Sequence, residues 1–323
     1  MSKKFYADHE EVFHYTTAAG LYGIACSKTL WASHIHFLND KEEGAGFSKR
    51  ILPMILRPEF KKYVAESEDL SARVQAADHL GVDLFDHWLK KIVEGFKNAQ
   101  DVAQDRYLTS FSTAKDDWIS KNGLLSQWRG YGLDGGYAIV FDAKGLAGLL
   151  NAEREMYYEE GWAWGDVQYH MEDLSRIQDE QVLKHFECVR KAANEYWTTG
   201  DIEKAYPAFE SIELLSAFCK HRGFEEENEV RIVVSEPSAE VGFDILNQSG
   251  KPFRKSHSYL RDGVAVPSIH LFEDQKLNAL PIRRIIVGPH PEKQERKKAV
   301  EILLRNHGIE AEISVSDTPF RGK

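Results

Sequence analysis

The stretch FHYTTAAGLYGIACSKTLWASHIHFLND, residues 13–40, begins and ends on alternating apolar positions, with helical spacing between them. Residues 12–16 alternate and carry β-branched and aromatic types, which predicts a short strand. Thr17 can cap a helix that runs through Leu21 and Ile24; Lys28 closes it before TLWAS resumes as a strand. The opening is therefore strand, helix, strand. Two polar features interrupt it, the His14-Tyr15-Thr16 run inside the first strand and the Asn39-Asp40 pair that ends the aromatic segment. Hydrogen-bonding side chains there either line a cleft or serve as capping and edge residues, and Asn39-Asp40 reads as an Asx-type turn or as part of a cleft mouth.

Outward from this stretch the texture changes to amphipathic helix over about 42–104. In VDLFDHWLKKIVEGF the apolar residues Phe85, Trp88, Leu89, Ile92 and Phe96 recur at spacings of three and four, leaving Asp83, Asp86 and His87 on a solvated face. A strand returns in RYLTSFST, where alternation puts Leu108, Ser110 and Ser112 on one face and Thr109 and Phe111 on the other. The segment LLSQWRGYGLDGG reads as a loop whose glycines, Gly130, Gly132, Gly135 and Gly136, allow tight turns or close approach to a ligand. The apolar strand YAIVFD follows, then a second helical block over about 171–220, the strand EVRIVV at 229–234 and a polar excursion to about 265. The chain ends in strand, helix over roughly 292–306, and strand. Strands interleave with helical blocks, which predicts a single α+β domain over 1–323, a mixed β-sheet core with two helical insertions.

The 323 residues are 42% hydrophobic and 28% charged, an ordinary globular composition, with a formal net charge of -10. No apolar run approaches the roughly 20 residues that cross a bilayer, and MSKKFYADHEE lacks the apolar core of a signal peptide, so a cytoplasmic protein without membrane partners is expected. Cys26, Cys188 and Cys219 are odd in number and lack C-x-x-C spacing, which argues against disulfides and zinc. A Cys/His nucleophile pair has no residue that singles it out. His34-x-His36 offers two strand histidines without an acidic partner at useful spacing, so no metal is expected. The acidic balance disfavours indiscriminate nucleic-acid binding, although residues 251–261 and 283–298 are locally basic.

The strongest local signal is GFEEENEVRIVV. Strand periodicity places Glu227, Glu229 and Arg231 on one face and Val230 and Ile232 on the other. An edge strand guarded by charge has the same pattern. The His-Tyr pair, the Ser-Phe-Ser run and the Glu-x-Glu strand occur in the order of the three motif segments of ADP-ribosyltransferases, and this ordered set resembles that class. More finely, residues 13–44, LTSFSTAKDDWISKNGLLSQWRGYGLDGGYAIVFD, KHRGFEEENEVRIVV and PIRRIIVGP resemble the signature segments of the bacterial family called domain of unknown function 2971, over most of the chain outside the helical insertions. That family is in turn similar to ADP-ribosyltransferases in its first strand and its Glu-bearing strand.

The resemblance implies an ADP-ribosyltransferase-like fold that uses NAD as co-substrate and no metal. His14 would hydrogen-bond the ribose, Tyr15 or Thr16 would hold the nicotinamide half, and Ser110 or Ser112 would support the site. Glu229 would be the catalytic carboxylate, because cleavage of the nicotinamide–ribose bond develops positive charge that a fixed carboxylate stabilises. Glu227 or Glu229 would orient the acceptor or take its proton. Trp128, Arg129 and Tyr131 would stack on rings and pair with the pyrophosphate; core packing and a surface Arg are the alternative. The chain has neither a G-x-x-x-x-G-K nor a G-x-G-x-x-G loop, so Walker and Rossmann modes are not supported. The expected function is transfer of ADP-ribose to RNA, DNA or protein by a toxin or anti-phage effector, with an antitoxin or chaperone as a possible partner. The alternatives are an NAD glycohydrolase and a non-catalytic binding module for a nucleotide or a partner.

Overall fold

The computed structural model describes residues 8–38, 46–131, 135–158, 161–237, 248–261, 263–274 and 279–319, of which 95–104 and 162 by backbone alone. Asn39, Asp40 and Gly132 lie outside the described residues, as does the Phe96 side chain. Among the described residues ten strands pair into one mixed sheet: β1 (Glu11–Thr16), β2 (Leu30–His34), β3 (Gln104–Ser112), β4 (Tyr137–Asp142), β5 (Gly161–Asp166), β6 (Glu229–Pro237), β7 (Ser256–Arg261), β8 (Val264–Leu271), β9 (Ile282–Val287) and β10 (Glu312–Val315). The chain divides into two compact units, one of Met1–Phe37, Asp105–Val167 and Gly223–Lys323, the other of Leu38–Gln104 and Gln168–Arg222.

The first unit carries the sheet, in the order β10-β9-β4-β1-β3-β2-β8-β7, with β6 between β3 and β5. Its opening strand–helix–strand forms as the residue types dictate. The Thr17 hydroxyl caps the helix Ala18–Ser27 by accepting from the Gly20 amide, and Lys28 ends it in the left-handed region at φ 56°. β3 organises the sheet because it has three partners, β1, β2 and β6, and a strand has only two edges. β1 meets it at Ser112 through Phe13, and at nearly the same height the Thr113 amide donates to the Asn228 carbonyl just before β6. Partners at one height occupy opposite edges, so β1 and β6 flank the end of β3. β2 joins lower, at Tyr107 and Leu108.

Alternation assigns the faces. Val12, Phe111, Ile139, Val230, Ile232 and Ile285 belong to one core cluster, covered by Leu21 and Ile24, by Leu146 and Leu150, and by Val300 and Leu304 from three helices. Phe13, Tyr15, Ala138, Val140 and Ile286 form a second cluster on the opposite face, together with Trp128. The sheet is thus buried on both faces near β1 and β4.

The second unit is helical: Leu52–Ala65, Glu68–His79, Leu84–Ala103, Glu180–Thr199 and Tyr206–Ala217. The segments expected as two insertions share one core, in which Phe85, Leu89, Val189, Trp197 and Ile212 are buried together. Trp88 packs on Trp197 with ring centroids 4.9 Å apart. Asp83 and Asp86 are exposed, as the helical pattern predicts, and both pair with Arg57. Among the described residues no helix is long and apolar enough to cross a membrane.

Three expectations need correction. LLSQWRGY is a helix, Leu125–Tyr131, not a loop, because Trp128 anchors its inner face in the core. The polar excursion before residue 265 contains the hairpin partner β7, whose residues alternate exposed and half-buried. The charge-guarded edge reading of residues 229–234 also fails, since β6 is paired on both sides and nearly all of its residues are buried.

Candidate functional site

Glu229 opens β6, immediately after Asn228 turns the chain in the left-handed region at φ 45°. Asn228 is held by its own contacts to Thr113: its carbonyl accepts from the Thr113 amide at 3.0 Å, and its side-chain amide donates to the Thr113 carbonyl at 3.3 Å. The turn breaks strand periodicity, so Glu227 does not share the face of Glu229. It ends the 3-10 segment Arg222–Glu227 and is partly exposed, a correction to the expected Glu-x-Glu alignment.

Glu229 and Arg231, two residues apart, do share a face. Arg231 Nε–H donates to Oε1 at 2.7 Å and Nη2–H to Oε2 at 3.1 Å, a bidentate fork between side chains that are 5% and 1% exposed as residues. Charge-assisted forks of this kind fix carboxylate orientation as well as adding energy. The Glu229 carbonyl accepts from the Val167 amide at 2.9 Å, which ties the head of β6 to the end of β5.

His14 sits near the same height of β3. Its Nδ1–H donates to the Ser110 carbonyl at 3.0 Å, because a carbonyl can only accept. That bond selects the tautomer in which Nε2 is an acceptor. Burial holds the imidazole below its ordinary 6.5, against the opposing effect of the Ser110 carbonyl, so the ring is neutral at neutral pH. Its face packs obliquely on Phe111, with centroids 5.7 Å apart.

The registers divide the expected single wall in two. His14 pairs with Ile139 and Thr16 with Tyr137, both members of the large core cluster that also holds Val230 and Ile232. Tyr15, Ser110, Ser112, Glu229 and Arg231 alternate to the opposite face. His14 and Thr16 are therefore near Glu229 in height but not on its face.

The remaining predicted residues have visible partners in the fold. The Tyr15 hydroxyl accepts from the Leu124 amide at 2.7 Å, its ring meets Trp128 edge-on at 4.9 Å, and burial pushes the phenol pKa up. Thr16 lodges its side chain over Gly20, where a Cβ would lie 1.9 Å from Oγ1. Ser112 is buried and Ser110 half-buried. Trp128 is fully buried and its Nε1–H donates to the Asn122 carbonyl at 2.9 Å, which corrects its expected role as a stacking platform. Arg129 and Tyr131 lie on the exposed side of the helix that Trp128 anchors. His34 and His36 do not converge on a cation: His34 Nδ1 accepts from the His36 amide at 3.3 Å, and its Nε2 lies 3.4 Å from Asp105.

Three arginines of the basic stretches are held by carboxylates. Arg254 is buried against Glu236 and Glu153. Arg283 pairs with Glu10, Glu11 and Asp142, and Arg284 with Glu11 at 2.6 Å. Arg residues held this way leave less charge to displace phosphate counterions than the sequence suggests.

Fold and site together define a mixed α+β sheet protein in which a buried Glu–Arg fork and a neutral histidine flank one central strand. Residues 127–232 match the family model described as Protein of unknown function (DUF2971). The match runs from within the helix Leu125–Tyr131 through β4 and β5 to Ile232 on β6, so it includes Glu229 and Arg231 and supports likeness to that family. No curated protein and no solved structure matches the chain.

Proposed function

We propose that the chain is an ADP-ribosyltransferase-like enzyme that cleaves NAD and passes ADP-ribose to a macromolecular acceptor, as a toxin or defence effector. The observation that carries the reading is the meeting of β1 and β6 on opposite edges of the end of β3, which brings His14 and Glu229 to nearly one height. Glu229, oriented by Arg231, is the carboxylate that stabilises the oxocarbenium-like charge on the ribose. His14, held as the Nδ1–H tautomer, offers Nε2 to accept from a ribose hydroxyl. The two lie on opposite faces of the sheet, so in this reading Glu229 acts on the ribose from its own face and His14 meets NAD at the strand ends rather than across one wall. Tyr15 then supports the site by packing, while Arg129 and Tyr131 remain candidates for the pyrophosphate.

The test is incubation of the purified chain with NAD and cellular RNA, DNA and protein. Nicotinamide release with label on a macromolecule supports transfer; free ADP-ribose without label points to the glycohydrolase.

A specific observation favours the non-catalytic module as second reading. Arg231 engages both oxygens of Glu229, and a buried fork of that kind also serves as a purely structural ion pair. NAD binding without consumption by folded protein selects it.

A further inference from the structure

The β7–β8 hairpin holds a cluster that the transferase reading does not use. His257 on β7 pairs with Ser268 of β8, so His270, two residues along, is its diagonal neighbour on the same face. The two imidazoles stack with centroids 3.8 Å apart and planes 4° apart. Trp31, directly opposite His270 on β2, stacks on it at 5.0 Å with the same 4° inclination. Two residues further on, strand alternation would send Leu271 into the core and Phe272 back beside His270. Phe272 instead adopts φ 67° and is buried in the core together with Leu271, its amide donating to Glu153 Oε1 at 2.9 Å. A left-handed backbone is rare for a bulky aromatic residue. Its effect here is to return Glu273 to the histidine face, where its carboxylate oxygens lie 3.3 and 3.4 Å from His257 Nε2.

We propose that His257, His270 and Glu273 bind a first-row divalent transition metal ion, with Zn2+ the best chemical fit. One ligand atom from each residue lies within 4.8 Å of the others, and all three residues are half-buried. Among the described residues this is the group of His, Cys, Asp and Glu side chains so placed. Two imidazole nitrogens and one carboxylate suit Zn2+, with water completing a tetrahedron, whereas Mg2+ and Ca2+ favour all-oxygen sets. An imidazole binds a metal in its ring plane, so loading turns one ring out of the stack while Trp31 braces His270 from behind. The site is independent of Glu229. The spacing H-x12-H-x2-E carries no familiar zinc signature, which is why the sequence did not disclose it.

The experiment is calorimetric titration of the chelator-treated, full-length chain with ZnCl2, together with the visible absorption of Co2+ added in its place. The expected result is one ion per chain, with affinity lowered at least about tenfold in His257→Gln and in Glu273→Gln and unchanged in His34→Gln/His36→Gln. Metal-free melting of each variant is compared with that of the metal-free parent, and Glu273, whose side chain is 35% exposed, supplies the variant least able to disturb folding. Absence of Zn2+ and Co2+ binding by the folded parent overturns the proposal. So does undiminished binding by folded Glu273→Gln, or loss of binding in the His34→Gln/His36→Gln variant.

Discussion

Arg231 grips both carboxylate oxygens of Glu229 from two residues along the same strand, at 2.7 and 3.1 Å, in a region closed to solvent. The fork fixes the orientation of the carboxylate in the candidate site. It predicts that Glu229→Ala, which removes both carboxylate acceptors of this fork from a buried guanidinium, costs about 3–5 kcal/mol in urea unfolding. Glu229→Met combined with Arg231→Leu should cost less than either single change, because it removes both charges and refills the volume. A double variant less stable than both singles would show that the pair is not mutually compensating.

Gly123 and Trp128 give a second test. Gly123 has φ 76°, and a Cβ there would lie 2.4 Å from the Trp128 ring, which is itself bonded to the Asn122 carbonyl. Gly123→Ala should destabilise by about 2–4 kcal/mol through left-handed strain and overpacking together. Trp128→Phe in the same background should recover part of the overpacking loss, and a double-mutant cycle should find the two changes strongly non-additive. Simple additivity would place the cost in the backbone alone.

His14 makes stability depend on pH. Burial depresses its folded pKa below the ordinary 6.5, so below that value the unfolded chain binds the proton more readily. Its contribution is fully present above pH 6.5 and is lost as pH falls from 6.5 through the depressed folded value. His34 and His185 are shifted the same way, with burial as the largest cause for each. Urea midpoints between about pH 5 and pH 7.5 should therefore fall on acidification, and His14→Gln should flatten part of that slope. An unchanged slope in His14→Gln would assign the effect to the other histidines.

His14 and Glu229 also differ in what they predict for function. If His14 holds the ribose of NAD, His14→Ala raises the KM for NAD with a smaller loss of kcat, whereas Glu229→Gln lowers kcat. Identical kinetics in His14→Ala and the parent would leave His14 as a packing residue.

Much of this was legible in the sequence, and the failures have physical causes. The first strand–helix–strand could be read because Thr17, the Leu21/Ile24 spacing and Lys28 are local signals that tertiary context did not override. β7 escaped because Leu260 is exposed while polar residues occupy the alternate positions, so its pattern carries no core stripe. The helix around Trp128 escaped because Gly130 suggests a loop, whereas helix formation there follows from burial of one indole. For the site, the residue types on β1, β3 and β6 could be listed from sequence, but their faces could not. Whether His14 and Glu229 share a side of the sheet depends on registers between strands roughly a hundred residues apart, and one step of register exchanges the faces. At Asn228 a single left-handed residue separated Glu227 from the face it was expected to share.

The most direct test of the central claim is NAD-dependent labelling by the purified chain and by Glu229→Gln, each first verified as folded by its melting curve. The parent should transfer labelled ADP-ribose to RNA, DNA or protein from a cell extract, and folded Glu229→Gln should transfer none above background. Equal labelling by that variant, or no NAD consumption by the folded parent, would contradict the account.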